Sequence, residues 1–395
     1  MATLPVDIDD FTTTVADNYP ASGDAVGPNL DDLLRLQGAS IADLRDITRE
    51  AYVTIEDKRF GGAGDDSTNN ITPLTDAMAA GSVVQFGAGT YRFTFSGANG
   101  VAVTTPTTIR GQGRDKTILK FVMTTVTAHR LFNVSGGPLV LEGVSIEITN
   151  ADNATVVFFG GDDLTGLALR DCTFNGGVTD DGVTAAFACY GIDFPGKPAD
   201  PKASVTNEDI EVSRCIAHRF SWFIAKDNAS ESTQKRIRVI DSEFYNHYRS
   251  PILLNSPNGV IEDVVIDRCT IRDNLGLALG EANCFHVAIM GTGIRLTNSK
   301  MSGAAEYAIH CEELPDKCVI DGNIIDVPTG STGGIRLVSN DNSGTLTATQ
   351  RTIISNNIIT YGGTAKTAGT RGILINTDGD PLTVEASKVD IHDNR

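Results

Sequence analysis

No stretch of this 395-residue chain approaches the roughly 18 consecutive apolar residues of a membrane-spanning helix. Residues 1–7 carry no basic segment followed by an apolar one, so no secretion signal is legible. Positive charge is scarce: 32 Lys and Arg against 50 Asp and Glu leave a net charge of −18. That balance argues against nucleic acid, whose phosphates demand cations, and against insertion into or docking on an anionic membrane. An acidic glycan would need a local basic patch to override the mean. Aromatic residues make up only 6%, with one tryptophan, Trp222. The seven cysteines are odd in number and form neither a C-x-x-C pair nor a His/Cys ligand spacing. They read as buried free thiols in a chain folded in a reducing cytoplasm, with no metal and no cofactor.

What the chain has in quantity is repetition. Leu167, Leu169, Asp171, Cys172 and Phe174 recur as Ile237, Val239, Asp241, Ser242 and Phe244. They recur again as Val264, Ile266, Arg268, Cys269 and Ile271, and as Ile294, Leu296, Asn298, Ser299 and Met301. The small slot falls at Val144, Cys172, Cys215, Ser242, Cys269, Ser299, Asn323, Asn357 and Asn394, at gaps of 28, 43, 27, 27, 30, 24, 34 and 37 residues. A period of this size carried by strand-like alternation predicts an all-β solenoid whose turns stack on one another. Forty glycines suit its many short strands and turns.

Residues 1–60 do not repeat. Leu30, Leu33 and Leu34, then Ile41, Leu44 and Ile47, keep helical spacing, with a capping signature at Ser40 and Asp43. Helices this short need a partner. A glycine- and aspartate-rich joint follows at residues 60–66, then a predicted helix over 71–80 that would cover the exposed core of the first coil. After each phrase comes a further strand, beginning near Tyr190, Trp222, Pro251, His286, Tyr307, Gly334 and Gly372. Alternation turns Ile192, Ile252, Ile309, Ile335 and Ile373 inward and leaves Asp193, His310, Glu312, Arg336 and Asn376 outward. The chain stops inside a repeat phrase, so either a partner caps it or the solenoid is expected to continue.

Residues 61–119 resemble the opening of the pectate-lyase-like right-handed parallel β-helix family. The resemblance is carried by Gly64, Asp65 and Asp66, by the stretch from Val84 through Gly89 to Tyr91, and by Ile109, Gly111, Gly113, Thr117 and Leu119. Asn323, Asn357 and Asn394 are similar to that family's inward asparagine ladder. The segment ahead of this opening resembles the virion-attachment end of bacteriophage tailspikes, the capsule- or O-antigen-depolymerising type. The implied protein is a homotrimer held to a phage tail, portal or baseplate protein through residues 1–60, with the β-helix at 61–395 engaging a bacterial surface glycan. It would sit in the virion tail after assembly in the host cytoplasm. The family's paired-aspartate and calcium-carboxylate patterns have no counterpart here.

Neighbouring coils lie about 4.8 Å apart, so carboxylates in like slots approach the roughly 5–5.5 Å or 6.5–9.5 Å separations of retaining and inverting glycosidases. The candidate catalytic groups are Asp193 and Asp227, near equivalent slots of consecutive coils, and His310 with Glu312. Tyr190, Trp222, Tyr307, His247 and Arg336 are candidate substrate contacts, the aromatic ones by stacking on sugar rings. Two other readings stay open: a non-enzymatic spacer of the virion, and a free-standing carbohydrate lyase or hydrolase.

Overall fold

The computed structural model describes residues 52–124, 128–149, 155–161, 164–177, 189–194, 205–227, 232–255, 260–276, 284–312, 317–339, 352–362, 371–377 and 389–395. The expected helices of residues 30–47 lie outside them. Every strand pairs in parallel with its equivalents in the coils before and after, giving sheets of twelve, eleven and ten strands. The chain is a parallel β-solenoid. A short helix, α1 (Ile71–Ala80), buries Pro73, Leu74, Ala77 and Met78. It packs on strands Tyr52–Thr54, Val83–Gln85 and Asn99–Val103 and so covers the first coil. The twelve-stranded sheet begins at Tyr52, ahead of the glycine-rich joint. No helix among the described residues is long and apolar enough to cross a membrane.

Each repeat phrase is two strands rather than one. The residue ahead of the slot adopts a left-handed backbone, with φ of 52° at Asp171 and Arg214, 51° at Asp241 and Arg268, 50° at Asn298 and 53° at Asn356. One such residue swings the chain from the twelve-stranded sheet to the eleven-stranded one. Side chains in this position pair along the axis: Arg214 donates to Asp171 at 2.7 and 2.8 Å, and Arg268 to Asp241 at 2.7 and 3.0 Å. Exposed to solvent and screened by salt, such pairs contribute little to stability.

The slot side chains point inward and answer a backbone need. At five of the turns a buried N–H is accepted by the slot residue of the following coil, where that residue is Ser or Asn. Ser242 Oγ accepts from Cys215 N–H and Ser299 Oγ from Cys269 N–H, both at 3.1 Å. The Oδ1 atoms of Asn323, Asn357 and Asn394 accept from Ser299, Asn323 and Asn357 N–H, all at 3.0 Å. All seven cysteines are buried and free.

Around the slots, aliphatic and phenylalanine side chains form one continuous core. Close approach of coils leaves no room at Gly161, where an added Cβ would lie 1.7 Å from the Val134 carbonyl oxygen. Gly161→Ala is expected to lower soluble yield and the melting temperature sharply, since only a backbone shift relieves that clash.

Candidate functional site

The outward face of the ten-stranded sheet carries most of the chemistry anticipated from sequence. Strand register there aligns Asp193 with Ala225, then Leu253, Ala288, His310, Arg336 and Leu374, one residue per coil. Asp193 and His310 thus share a row yet stand four rungs apart, about 19 Å at ~4.8 Å per strand. The anticipated catalytic groups fall into two separate centres.

The first centre surrounds Asp193. The carboxyl is half-buried, and burial pushes its pKa up to about 6, against the opposing pull of Arg130 and Lys226. Arg130 Nη1 donates to Asn133 Oδ1 at 3.5 Å, and its Nε would lie only 3.3 Å from a Cβ placed on Gly160. The missing side chain at Gly160 gives that guanidinium its course along the row. Asp227 is not level with Asp193: it aligns with Asn255, two residues beyond Ala225. The two aspartates are therefore not slot-mates in consecutive coils. The side chain of Asp227 lies outside what the structure describes.

Tyr190 and Trp222 stack on each other in consecutive coils, ring centres 4.9 Å apart and planes 14° from parallel. The Arg249 guanidinium, from the coil after, stands 5.2 Å from the Trp222 ring centre. With both faces of the indole covered, Trp222 presents its edge, whereas the sequence reading anticipated a ring face open to sugar.

The second centre surrounds His310. This ring is 3% exposed, far from the open surface position that alternation alone implies. It stacks on Phe285, with centres 4.2 Å apart and planes 7° from parallel. His310 Nε2 meets Glu312 Oε1 at 3.1 Å, and the other Glu312 oxygen accepts from the Asn255 amide. The bond from His310 is the main cause holding the Glu312 pKa down, with Asn255 and the charge of Arg336 adding to it. An ionised carboxylate only accepts, so Nε2 carries the proton and the neutral ring's lone pair lies on Nδ1. Nδ1 is buried and meets no hydrogen-bonding partner among the described residues.

Tyr307 is 3% exposed and packs with Phe285, Ala288 and Leu253, so its ring lies beneath this surface. The Arg336 guanidinium lies 5.7 Å from its centre. Among the described residues, no group of three or more His, Cys, Asp or Glu side chains is placed to hold a metal ion.

His247, expected among the substrate contacts, is in the core instead. Asn246 takes a left-handed backbone (φ 51°), which breaks the alternation and turns the next side chain inward. His247 Nε2 and His286 Nδ1 lie 3.0 Å apart, and His286 Nε2 lies 2.7 Å from the Ser302 carbonyl oxygen. That carbonyl fixes the tautomers: His286 donates from Nε2, and His247 donates from its own Nε2 to His286 Nδ1. Burial lowers the His286 pKa from 6.5 to about 4, offset in part by the Ser302 bond and the charge of Asp273, and drives that of His247 well down.

Both rings stay neutral in the folded state while the unfolded chain takes up protons below pH 6.5. The stability they permit is complete above pH 6.5 and is lost as pH falls toward 4. His286 alone accounts for about 3 kcal/mol of that loss. Urea unfolding at pH 7 and pH 4.5 should reveal this drop, and His286→Gln should flatten it.

Sequence reasoning passed over Asn255 and Arg130, whereas the polar and aromatic cluster from Tyr245 to Arg249 was anticipated as a sugar contact. Asn255 ends one strand and Glu312 directly follows another of the same sheet, which was a faint signal. Arg130 lies at an ordinary position that only coil register brings to the site.

No known protein-family model matches this sequence, and no curated protein does. Among solved structures, the A-module of the Azotobacter vinelandii mannuronan C-5 epimerase AlgE6 is similar at 12% identity. That match covers 86% of this chain and 98% of the other, with a TM-score of 0.44. A mutant tailspike of E. coli bacteriophage HK620 is similar at 12% identity over 90% of this chain and 57% of its own, with a TM-score of 0.41. The Dettilon tailspike protein is similar at 10% identity over 86% and 69%, with a TM-score of 0.30.

Proposed function

We propose that this chain is a tailspike-like phage virion protein that binds a bacterial surface polysaccharide and cleaves it on the outer face of the ten-stranded sheet. The observation that carries the cleavage reading is the Asn255–Glu312–His310 chain of hydrogen bonds, which holds the part-exposed Glu312 carboxylate ionised near the charge of Arg336. A carboxylate fixed in this way is suited to general-base work, and the neighbouring guanidinium to developing negative charge. The virion half of the reading rests on the tailspike-like layout, in which a non-repeating segment precedes the β-helix.

Purified protein, incubated with capsular polysaccharides and O-antigens from a bacterial panel, should release reducing ends from at least one of them. Unsaturated sugars absorbing in the ultraviolet among the products would specify a lyase, and their absence a hydrolase. Binding without turnover would make the chain a non-enzymatic adhesin. Sedimentation should give a trimer; a monomer would overturn the virion reading.

A further inference from the structure

We infer that copies of this chain pack side by side through the outer face of the eleven-stranded sheet, around Ile324 and Ile358. This rests on the trimeric virion reading above and assigns that trimer its face. Ile324 and Ile358 are 43% and 42% exposed, and strand register sets them on consecutive coils of one outward row. Large apolar side chains exposed singly are ordinary, but these two stand one above the other. Lys300 precedes them in the row, and Asp326 lies beside Ile324, two residues along its strand.

Charge selects a second copy as the occupant. The chain carries −18 overall, so like chains repel wherever that charge is concentrated. In the two outward rows of this sheet, from the coil of Ile216 and His218 onward, Arg272 and Lys300 balance Glu243 and Asp326. Copies can therefore approach there without net repulsion. On the twelve-stranded sheet, charged side chains pair along the axis instead, as in Arg110–Glu142, Arg170–Glu211 and Lys235–Glu262. The ten-stranded face is given over to substrate in the reading above. Further along the eleven-stranded face, His218 and Tyr245 stack with ring centres 4.9 Å apart and planes 4° from parallel. Arg272 stands 4.5 Å from the Tyr245 ring centre. Tyrosine and arginine already ordered in this way lose little freedom when a protein surface meets them.

The symmetry fits the residues. A threefold axis parallel to the solenoid brings equal rungs of three copies to one height. Ile324 then packs on Ile324 of the neighbouring copies, and Ile358 on Ile358 about 4.8 Å further along. Lys300 would face its own kind, a repulsion relieved when each reaches Asp326 of the next copy, one rung on. Neither Lys300 nor Asp326 makes an ion pair within its own chain among the described residues.

Sedimentation of the full chain over a dilution series gives the concentration at which half the trimer dissociates. Ile324→Glu combined with Ile358→Glu should raise that midpoint at least a hundredfold while circular dichroism keeps the wild-type β signature. Lys300→Glu should raise it at least tenfold, and adding Asp326→Lys should restore most of the loss. A wild-type midpoint in the folded isoleucine variant, or in Lys300→Glu, would overturn the inference and leave the trimeric reading intact. If the isoleucine variant does not fold, the charge reversal and its rescue decide alone. A wild type that sediments as a monomer would remove the trimeric reading and this inference together.

Discussion

Asn323→Ala should destabilise the protein by about 3 kcal/mol, because it removes the partner of two buried backbone groups and one buried side-chain oxygen at once. Asn323 Oδ1 accepts the Ser299 N–H, and its Nδ2 donates to the Leu296 carbonyl at 3.0 Å and to Asn357 Oδ1 at 2.9 Å. The side chain is fully buried, so water cannot replace these bonds. Alanine also leaves a cavity between adjacent coils. Thr360→Ala, at an exposed position of a neighbouring strand, should change stability by no more than about 0.5 kcal/mol. Denaturant midpoints of the two variants, compared with wild type, give the answer. Near-equal midpoints would mean that the ladder's hydrogen bonds contribute little beyond filling space.

Glu312→Gln should lower kcat/KM on the cleaved polysaccharide by about 100- to 10,000-fold, the range over which a positioned general base acts. His310→Ala removes the bond that fixes the carboxylate and should cost at least about tenfold. Since His310 works through Glu312, the double variant should be little worse than Glu312→Gln alone. His310 is buried against Phe285, so a melting curve must accompany each assay. Folded variants that retain full activity would remove Glu312 from the reaction. Folded variants that lose activity only through KM would make it a binding group.

How far the sequence reached differs between the scaffold and the site. The stacking of coils was legible, because a slot that recurs in the chain must recur in space once strands pair in parallel. The helix over Ile71–Ala80 was legible in full, from its apolar spacing and the proline in its first turn. The split of each phrase into two strands was not. Arg214 and Arg268 adopt positive φ without being glycine, asparagine or aspartate, and so give no local sign of it. The same cause hid the inward turn of His247, where a single left-handed residue at Asn246 reverses which face the next side chain takes.

By itself, the sequence determined that this protein is a solenoid, which slot faces inward, and which polar residues stand near strand ends. Periodicity carries those facts because they depend only on neighbours along the chain and on a repeating spacing. The tertiary structure alone decided which of those residues meet. Coil lengths vary from one turn to the next, so register between strands, and with it the row from Asp193 to Arg336, is set by pairing rather than by residue count. Burial likewise depends on what packs across from a residue, which is why His310 faces outward and is nonetheless enclosed.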